Sequence, residues 1–398
     1  MIFTRSIKQL KNINIWLSFS LTVAFMISLP ITTIWIKAVE VDVQVWNHIF
    51  DYFFYSYSTN TLILILGVSI VTILLGISGA WLVVFYDFYF RKILSYLLIF
   101  PIAIPPYAVA YCYADLTDNG GVLFAFLENI GFSHLQFLIP SVRSISGAIF
   151  ILSITLFPYV YLIAKFSFAN NSRKVIEAAA NLGVNRIKLF FECALPLAKP
   201  AIVAGLGLVM MEAMSDFGVV HYLGVDSLSV GIYKSWFGLG DFNSAARLAT
   251  ILFIFAFLVL SIEGLLRKRD HGKHISFDLA PVNIKIFTKK SFLPLIILLF
   301  FTLVTLVVPF LWLLFSSFDL ILKDSSSVKL FYKASVNSIL LAFLGGILIT
   351  SIAAVICFTQ RIYSGTFNFL INFAKLGYAC PGIVIAIGVI TPVVYFDK

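Results

Sequence analysis

The chain has 398 residues, of which 61% are hydrophobic and 12% are charged, and its mean hydropathy is +1.00. This composition is far more apolar than that of an ordinary soluble domain, so it excludes a water-soluble globule. The formal net charge of +9 is expected of a membrane protein, whose basic residues collect in cytoplasmic loops, and it does not indicate nucleic-acid binding.

Runs of about 20 mostly apolar residues recur along the chain, and each is long enough to cross a bilayer as a helix. The predicted spans are 13–36, 61–85, 94–114, 143–164, 199–220, 246–266, 292–315, 336–358 and 370–395. Backbone polar groups in lipid must be satisfied within each segment. The sequence therefore predicts an all-α polytopic membrane protein with about nine transmembrane helices.

Basic residues predict the orientation of these spans. Arg5, Lys8 and Lys11 precede the first span, and the more strongly basic loops follow at every second connection. Since Lys and Arg accumulate on the cytoplasmic side, we expect a cytoplasmic N-terminus. The first apolar run is too long for a signal peptide, so it is expected to remain as an anchor.

Two parts of the chain share a pattern. Asn60-Thr61-Leu62 opens the second span and Asn337-Ser338-Ile339 opens the eighth. At nearly the same distance from each lies a proline-interrupted segment, Ile104-Pro105-Pro106 in the first copy and Cys380-Pro381-Gly382 in the second. Repeated halves with broken helices are typical of transporters.

This repeat predicts the domain organisation. Residues 1–270 form a first domain with about six spans, 271–290 form a charged cytoplasmic linker, and 291–398 form a partial second domain with about three spans. The second copy is expected to be incomplete, because it reaches Lys398 after three spans.

The most informative stretch lies between the fourth and fifth spans, at 172–196. Ser172 precedes a helix-forming run, Gly183 can terminate that helix, and a second short helix is expected to end before Pro196. Two short helices joined at a glycine would project from the membrane. Small alanines would allow close approach of a partner, and Glu177 can pair with a basic group.

This loop resembles one shared by the inner-membrane permease subunits of bacterial ABC importers, in which EAAxxxG is followed after nine residues by IxLP. The matching residues are Glu177, Ala178, Ala179, Gly183, Leu195 and Pro196. Cys193 stands where the family has isoleucine. The resemblance implies the type I importer permease fold in a bacterial inner membrane. It also implies that the loop couples the permease to a partner ATP-binding cassette dimer by docking into it.

Further segments resemble the ferric-iron branch of these permeases. They are Met211–Gly218, Tyr222–Asp226, Gly231–Tyr233 and Trp236–Asp241. That branch commonly fuses two permease halves, which is similar to the repeat described above. The resemblance implies ferric iron as the substrate, delivered by a periplasmic substrate-binding protein. Thiamine, a polyamine or a phosphonate is the alternative within the class.

The sequence carries one such loop, whereas a fused permease would have two. We expect a second permease fragment or copy, or a longer reading frame, to supply the other; the alternative is a truncated permease that has lost function. A secondary transporter would also use repeats and broken helices, but it would leave the loop unexplained.

The chain shows no catalytic pattern of its own. No GxxxxGK[ST] motif occurs, so ATP is expected to bind the partner subunit, and no cofactor is predicted in this chain. The four cysteines show no CxxC spacing, so no metal site is predicted either.

Glu212 and Asp216 are the candidates for a translocation path. They lie four residues apart near the outer end of the fifth span, hence on one helix face. Acidic residues at membrane depth are costly and are functional candidates by default, so this pair is predicted to line a cation path. The alternative is that the helix ends near Met214 and both carboxylates lie in water.

Overall fold

The computed structural model describes residues 15–40, 43–118, 120–132, 140–170, 179, 182–269, 292–323, 325–362 and 381–396. Within these ranges, seven helices are long and apolar enough to cross a membrane, and a bent pair of helices makes an eighth candidate span. The predicted all-α polytopic architecture is confirmed.

The helices are numbered here in chain order. They are α1 (Ile15–Val39), α2 (Val43–Phe85), α3 (Arg91–Leu97), α4 (Pro106–Thr117), α5 (Val122–Asn129), α6 (Ile145–Asn170), α7 (Leu189–Ser215), α8 (Gly218–Tyr222), α9 (Leu228–Tyr233), α10 (Phe242–Arg269), α11 (Phe292–Phe318), α12 (Ser325–Ile362) and α13 (Gly382–Phe396). Wide π-helical turns occur in three of the long helices: Phe50–Phe54 in α2, Leu189–Ala194 in α7 and Leu303–Val307 in α11.

The third predicted span, 94–114, is broken. Its two arms, Arg91–Ala103 and Pro106–Asn129, are bent by 95° relative to each other. Proline has no N–H to donate and disfavours helical backbone in the residue before it. Ile104 and Pro105 accordingly adopt extended conformations, with ψ of 121° and 131°. The proline interruption predicted here is therefore a real break in the helix.

Three other span predictions, those of the second, fifth and eighth spans, differ from the structure by more than five residues at an end. The eighth span is Val328–Ile362, against the predicted 336–358. The second span starts at Val43 and not at 61, because the aromatic stretch that precedes it is also helical. The fifth starts at Leu189 and ends at Ser215, against the predicted 199–220. Only the last part of the ninth, Gly382–Phe396, lies among the described residues.

The chain forms two compact units, which are described separately. Unit 1 comprises Met1–Asp42, Phe242–Phe253 and Leu314–Lys398, and unit 2 comprises Val43–Asp241 and Ile254–Leu313. The division into domains at 1–270 and 291–398 stays a prediction, and the predicted linker, 271–290, lies outside the described residues.

In unit 1, α1 and α13 are in close contact. A Cβ atom built on Gly388 would lie within 2.3 Å of the carbonyl oxygen of Pro30, so only glycine fits there. Next to this contact the Thr33 hydroxyl donates to the carbonyl oxygen of Gly388 at 2.7 Å. Small residues and hydroxyl groups are the usual means by which membrane helices associate.

In unit 2, α6 is the central helix and packs against α2 and α7. A Cβ on Gly76 of α2 would lie 2.8 Å from Cβ of Val160 and 2.9 Å from the backbone nitrogen of Tyr161. A Cβ on Gly205 of α7 would lie 3.2 Å from Cα of Val160. The side chains of Phe157 and Tyr161 are fully buried beside these contacts. Two glycines therefore bring the backbones of α2 and α7 close to the same turn of α6.

We expect Gly76→Ala to destabilise the protein by about 1–3 kcal/mol, because the added methyl group would overlap α6. Gly264→Ala is the matched control, since no atom of the described residues lies within 4 Å of a Cβ built there. Both substitutions gain helix propensity, so their difference isolates the clash. Thermal unfolding of the purified protein in detergent measures it; equal Tm values for the two variants would contradict the packing described here.

Candidate functional site

The loop at 172–196 is described from Gly183 onward, together with Ala179. Glu177 and Ala178 lie outside the described residues. Ala179 is helical and half-buried against the core of unit 2. Gly183 has a φ of +77°, and the N–H of Val184 donates to the carbonyl oxygen of Ala179 at 3.2 Å. This left-handed glycine and the hydrogen bond across it form a Schellman motif, the usual termination of a helix. Gly183 thus has the left-handed backbone conformation that the predicted termination of the helix requires.

The expectation that a second helix ends before Pro196 is wrong. The chain is helical from Arg186 through the π-helical turn Leu189–Ala194 and on to Ser215. Pro196 has no N–H to donate to the preceding turn. Just before it, the N–H of Leu195 bonds to the carbonyl oxygen of Phe190, five residues back, which makes this turn wider than an α-helical one. The wider turn accommodates the proline ring. Leu195 and Pro196 therefore begin the regular part of α7, and Leu195 packs against the core.

Trp81 of α2 contacts the chain just before this loop and again in its second half. Its ring centroid lies 6.0 Å from that of Phe168, near the end of α6, and 5.0 Å from that of Phe190, at the start of α7. Both contacts are edge-to-face, and the side chain is 8% exposed. Trp81 is a positioning residue for the loop that sequence reasoning missed. Its contacts join segments 87 and 109 residues away, and no local pattern signals them.

Glu212 and Asp216 line one cleft of about 240 Å³. Its other lining residues are Pro106, Leu152, Leu156, Ser215 and Phe217. Glu212 lies in the last turn of α7, and Asp216 follows the end of that helix in an extended conformation. The predicted sharing of one helix face is therefore wrong in detail, because the helix ends at Ser215. Both carboxylates are partly buried, and the broken helix at Pro106 contributes to the same cleft.

Asp216 also has a structural task. Its Oδ1 accepts the N–H of Val219 at 2.8 Å, which caps the start of α8. Its carbonyl oxygen accepts the hydroxyl of Ser229 at 2.9 Å. The first bond needs only an acceptor oxygen, so an amide can replace the carboxylate there. The charge of Asp216 is therefore separable from its role as a cap.

A cluster of aromatic and charged side chains lies near α8. Arg143 pairs with Asp118 at 2.8 Å, and its guanidinium carbon lies 5.1 Å from the ring centroid of Tyr222. The hydrogen bond to Asp118 raises the pKa of Arg143 above its ordinary value. Tyr111 contacts both Tyr222 and Trp312. Sequence reasoning missed this cluster, because its members come from segments that are far apart in the chain.

No group of three or more His, Cys, Asp and Glu side chains that could hold a metal ion is found in the part of the chain that the structure describes. The cysteines Cys112, Cys193 and Cys357, which fall within it, are free thiols.

Residues 72–270 match the family described as binding-protein-dependent transport system inner membrane component. This chain belongs to that family. The match contains the loop, the acidic cleft and Trp81. Together with the apolar helices, it identifies the chain as a multi-pass inner-membrane protein, and it confirms the permease family predicted from the loop.

Several curated relatives are transport permeases of different specificity. The molybdenum transport system permease protein of Haemophilus influenzae is 26% identical over 205 residues, which are 50% of this chain and 87% of that protein. The Fe(3+)-transport system permease protein FbpB 2 of the same species is 22% identical over 350 residues, 83% of this chain and 62% of that protein. The sulfate transport system permease protein of Salmonella typhimurium is 25% identical over 217 residues, 52% of this chain and 75% of that protein. The chain thus spans less than two thirds of the length of the iron relative.

We expect Asp216→Ala to lower stability by about 1 kcal/mol, the usual cost of removing a side-chain cap. Asp216→Asn is the matched variant, since it keeps the acceptor oxygen and loses the charge. Thermal unfolding of the two purified variants measures the difference. An Asn variant as unstable as the Ala variant would show that the charge, and not the acceptor, stabilises the start of α8.

Proposed function

We propose that this chain is the transmembrane subunit of a bacterial ABC importer, in which ATP hydrolysis by a partner subunit drives substrate across the membrane. The observation that carries the proposal is the loop with its left-handed Gly183, inside a region that matches the permease family. Glu177, Ala178, Ala179, Gly183, Leu195 and Pro196 form the coupling loop. It docks into an ATP-binding cassette dimer, which binds the ATP.

A direct mechanical connection from the loop to the acidic cleft supports this proposal. Helix α7 is 27 residues long, about 40 Å at 1.5 Å per residue. It begins within the loop and has Glu212 in its last turn. A displacement of the docked loop therefore moves the wall of the cleft without passing through any flexible segment. Trp81 transmits the same displacement to α2 and to the end of α6.

The orientation follows from basic residues at the loop's end of the bundle. Lys165 lies in the last turns of α6, directly before the loop, and it lines the same cleft as Arg91 and Lys92. Concentration of positive charge at this end favours a cytoplasmic loop and a cytoplasmic N-terminus. The acidic cleft then lies toward the periplasm, where a periplasmic substrate-binding protein delivers the cargo. Since an ATPase dimer offers two grooves, a second permease copy or fragment supplies the other loop.

Ferric iron is the cargo that we propose. The two carboxylates in the cleft attract cations and repel oxyanions, and the iron relative aligns over 83% of this chain, against 50% for the molybdenum relative. The second candidate is a phosphonate. It is supported by a putative 2-aminoethylphosphonate permease from Salmonella choleraesuis that is 24% identical over 238 residues. Thiamine and polyamines are further alternatives within the class.

Gly183→Val is expected to uncouple the complex. A β-branched residue in left-handed backbone costs about 1–2 kcal/mol, which lowers the ratio of native to non-native loop conformations roughly five- to thirtyfold. Gly183→Asn is the matched variant, because asparagine tolerates this conformation. Among the described residues, no atom lies within 4 Å of a Cβ built at this position, so both variants have room for that atom.

The test measures ATP-dependent substrate uptake and copurification of the ATPase with each Gly183 variant. The Asn variant should remain within about twofold of the wild type, as its conformational cost is small. The amount of protein inserted in the membrane controls for folding. A Val variant that inserts normally and transports at the wild-type rate would refute the coupling role.

Glu212→Gln and Asp216→Asn are expected to reduce iron uptake about ten- to a hundredfold each, because a hydrogen bond or contact to a charged group is worth roughly 1.5–3 kcal/mol. Glu128→Gln is the control, since Glu128 is exposed on α5 and does not line the cleft. Radioactive iron uptake in cells measures the effect, with copurified ATPase as the assembly readout. The ferric assignment would be refuted if the wild type took up no iron but did take up molybdate or a phosphonate, and if neither substitution changed that uptake.

A further inference from the structure

A larger cleft of about 940 Å³ lies in unit 2 where α2 ends and α3 begins. Its lining includes Val83 and Val84 at the end of α2, Lys165 and Ala169 at the end of α6, and Arg91 at the start of α3. Two membrane-spanning helices, Val43–Phe85 and Ile145–Ala169, end at this cleft. It therefore lies at the level where a bilayer changes from hydrocarbon to headgroups.

Positive charge dominates the lining of this cleft. It contains Arg91, Lys92 and Lys165 and one carboxylate, that of Asp87. The ion pairs found among the described residues are Lys37–Glu40, Arg143–Asp118 and Lys234–Asp226. None of these pairs includes the three basic residues of the cleft. Asp87 interacts electrostatically with Arg91, so the lining keeps an excess of positive charge for a ligand of negative charge.

Two of the three cations are held in place. Arg91 donates from Nε to the carbonyl oxygen of Val83 at 2.6 Å and from Nη2 to that of Val84 at 3.1 Å. Lys165 donates to the hydroxyl of Ser95 at 2.5 Å, and its ammonium group lies 5.8 Å from the ring centroid of Tyr96. An ammonium group has three donors, so Lys165 retains capacity for an anion. The site is thus organised before any ligand binds.

Exposed apolar side chains border the basic cleft. Phe90, Ile93 and Tyr96 line it and are 67%, 56% and 66% exposed. Phe90 is held there by a left-handed backbone, with a φ of +62°, the one positive φ at a residue other than glycine in the described ranges. Such a conformation is costly for a bulky residue and marks sites where structure is maintained for another purpose. A ligand with a charged head and apolar tails matches this combination.

We propose that this cleft binds the headgroup of an anionic phospholipid, a lipid that bears a net negative charge. Arg91, Lys92 and Lys165 contact the phosphate, and Phe90, Ile93 and Tyr96 contact the acyl chains. Basic pockets between transmembrane helices commonly recognise such headgroups. A free phosphate would use the same cations but would leave the apolar border without a partner. This inference stands apart from the proposed transport function, because it rests on the cleft alone.

The test uses the full-length chain, purified in mild detergent and freed of lipid, and native mass spectrometry as the readout. Phosphatidylglycerol, zwitterionic phosphatidylcholine and inorganic phosphate are added in separate titrations. We expect phosphatidylglycerol to be retained and the other two not. Lys92→Gln and Lys165→Gln should each weaken its binding about fivefold, the contribution of one lysine near an anionic headgroup.

Lys188→Gln is the matched control, since Lys188 is exposed and does not line the cleft. Lys165→Arg retains the charge, so recovery of binding in that variant separates loss of the cation from misfolding. Equal weakening by Lys188→Gln and Lys165→Gln would overturn the proposal, because it would indicate general surface charge. Lysine-dependent binding of inorganic phosphate without retention of phosphatidylglycerol would overturn the lipid assignment.

Discussion

The close contact of three backbones at Val160 is the constraint on which unit 2 depends. Gly76 of α2 and Gly205 of α7 approach this turn of α6 from two sides, at distances that exclude a further methyl group at Gly76. Lipid tails are as apolar as leucine, so hydrophobicity alone does not drive these helices together. Their association relies on shape, and the two glycines provide the shape. Because packed interiors are not continuously deformable, α2, α6 and α7 respond to a displacement together.

Features that depend on local sequence could be predicted, and features that depend on distant contacts could not. The spans were predictable because apolar length is a local property, and so was the break at Pro105, because proline restricts its immediate neighbours. The left-handed Gly183 was predictable for the same reason. The continuation of the helix through Pro196 could not be predicted, because proline ordinarily ends a helix. The π-helical turn before Pro196 allows α7 to continue.

Glu212 and Asp216 show how far a sequence pattern can predict a site. Spacing of four residues placed Glu212 and Asp216 on one helix face, but α7 ends at Ser215 and Asp216 turns into the cap of α8. The two carboxylates still line a common cleft, to which Pro106 of α4 and Leu152 of α6 contribute from other segments. A pattern can thus identify the residues of a site and miss the geometry that unites them. Trp81 shows the opposite: no sequence pattern indicates it, yet its ring contacts Phe168 at the end of α6 and Phe190 at the start of α7.

Helix α6 lines both clefts of unit 2, and their charges are opposite. Leu152 and Leu156 border the acidic cleft, whereas Lys165 and Ala169 border the basic one. Between them α6 is bonded to α3 through the Tyr161 hydroxyl, which donates to the carbonyl oxygen of Ser95 at 3.0 Å. Toward α2, Gly76 packs closely against the same turn at Val160, so α6 is also held against α2. Because α2, α6 and α7 respond to a displacement together, a shift of α6 would change both clefts at once.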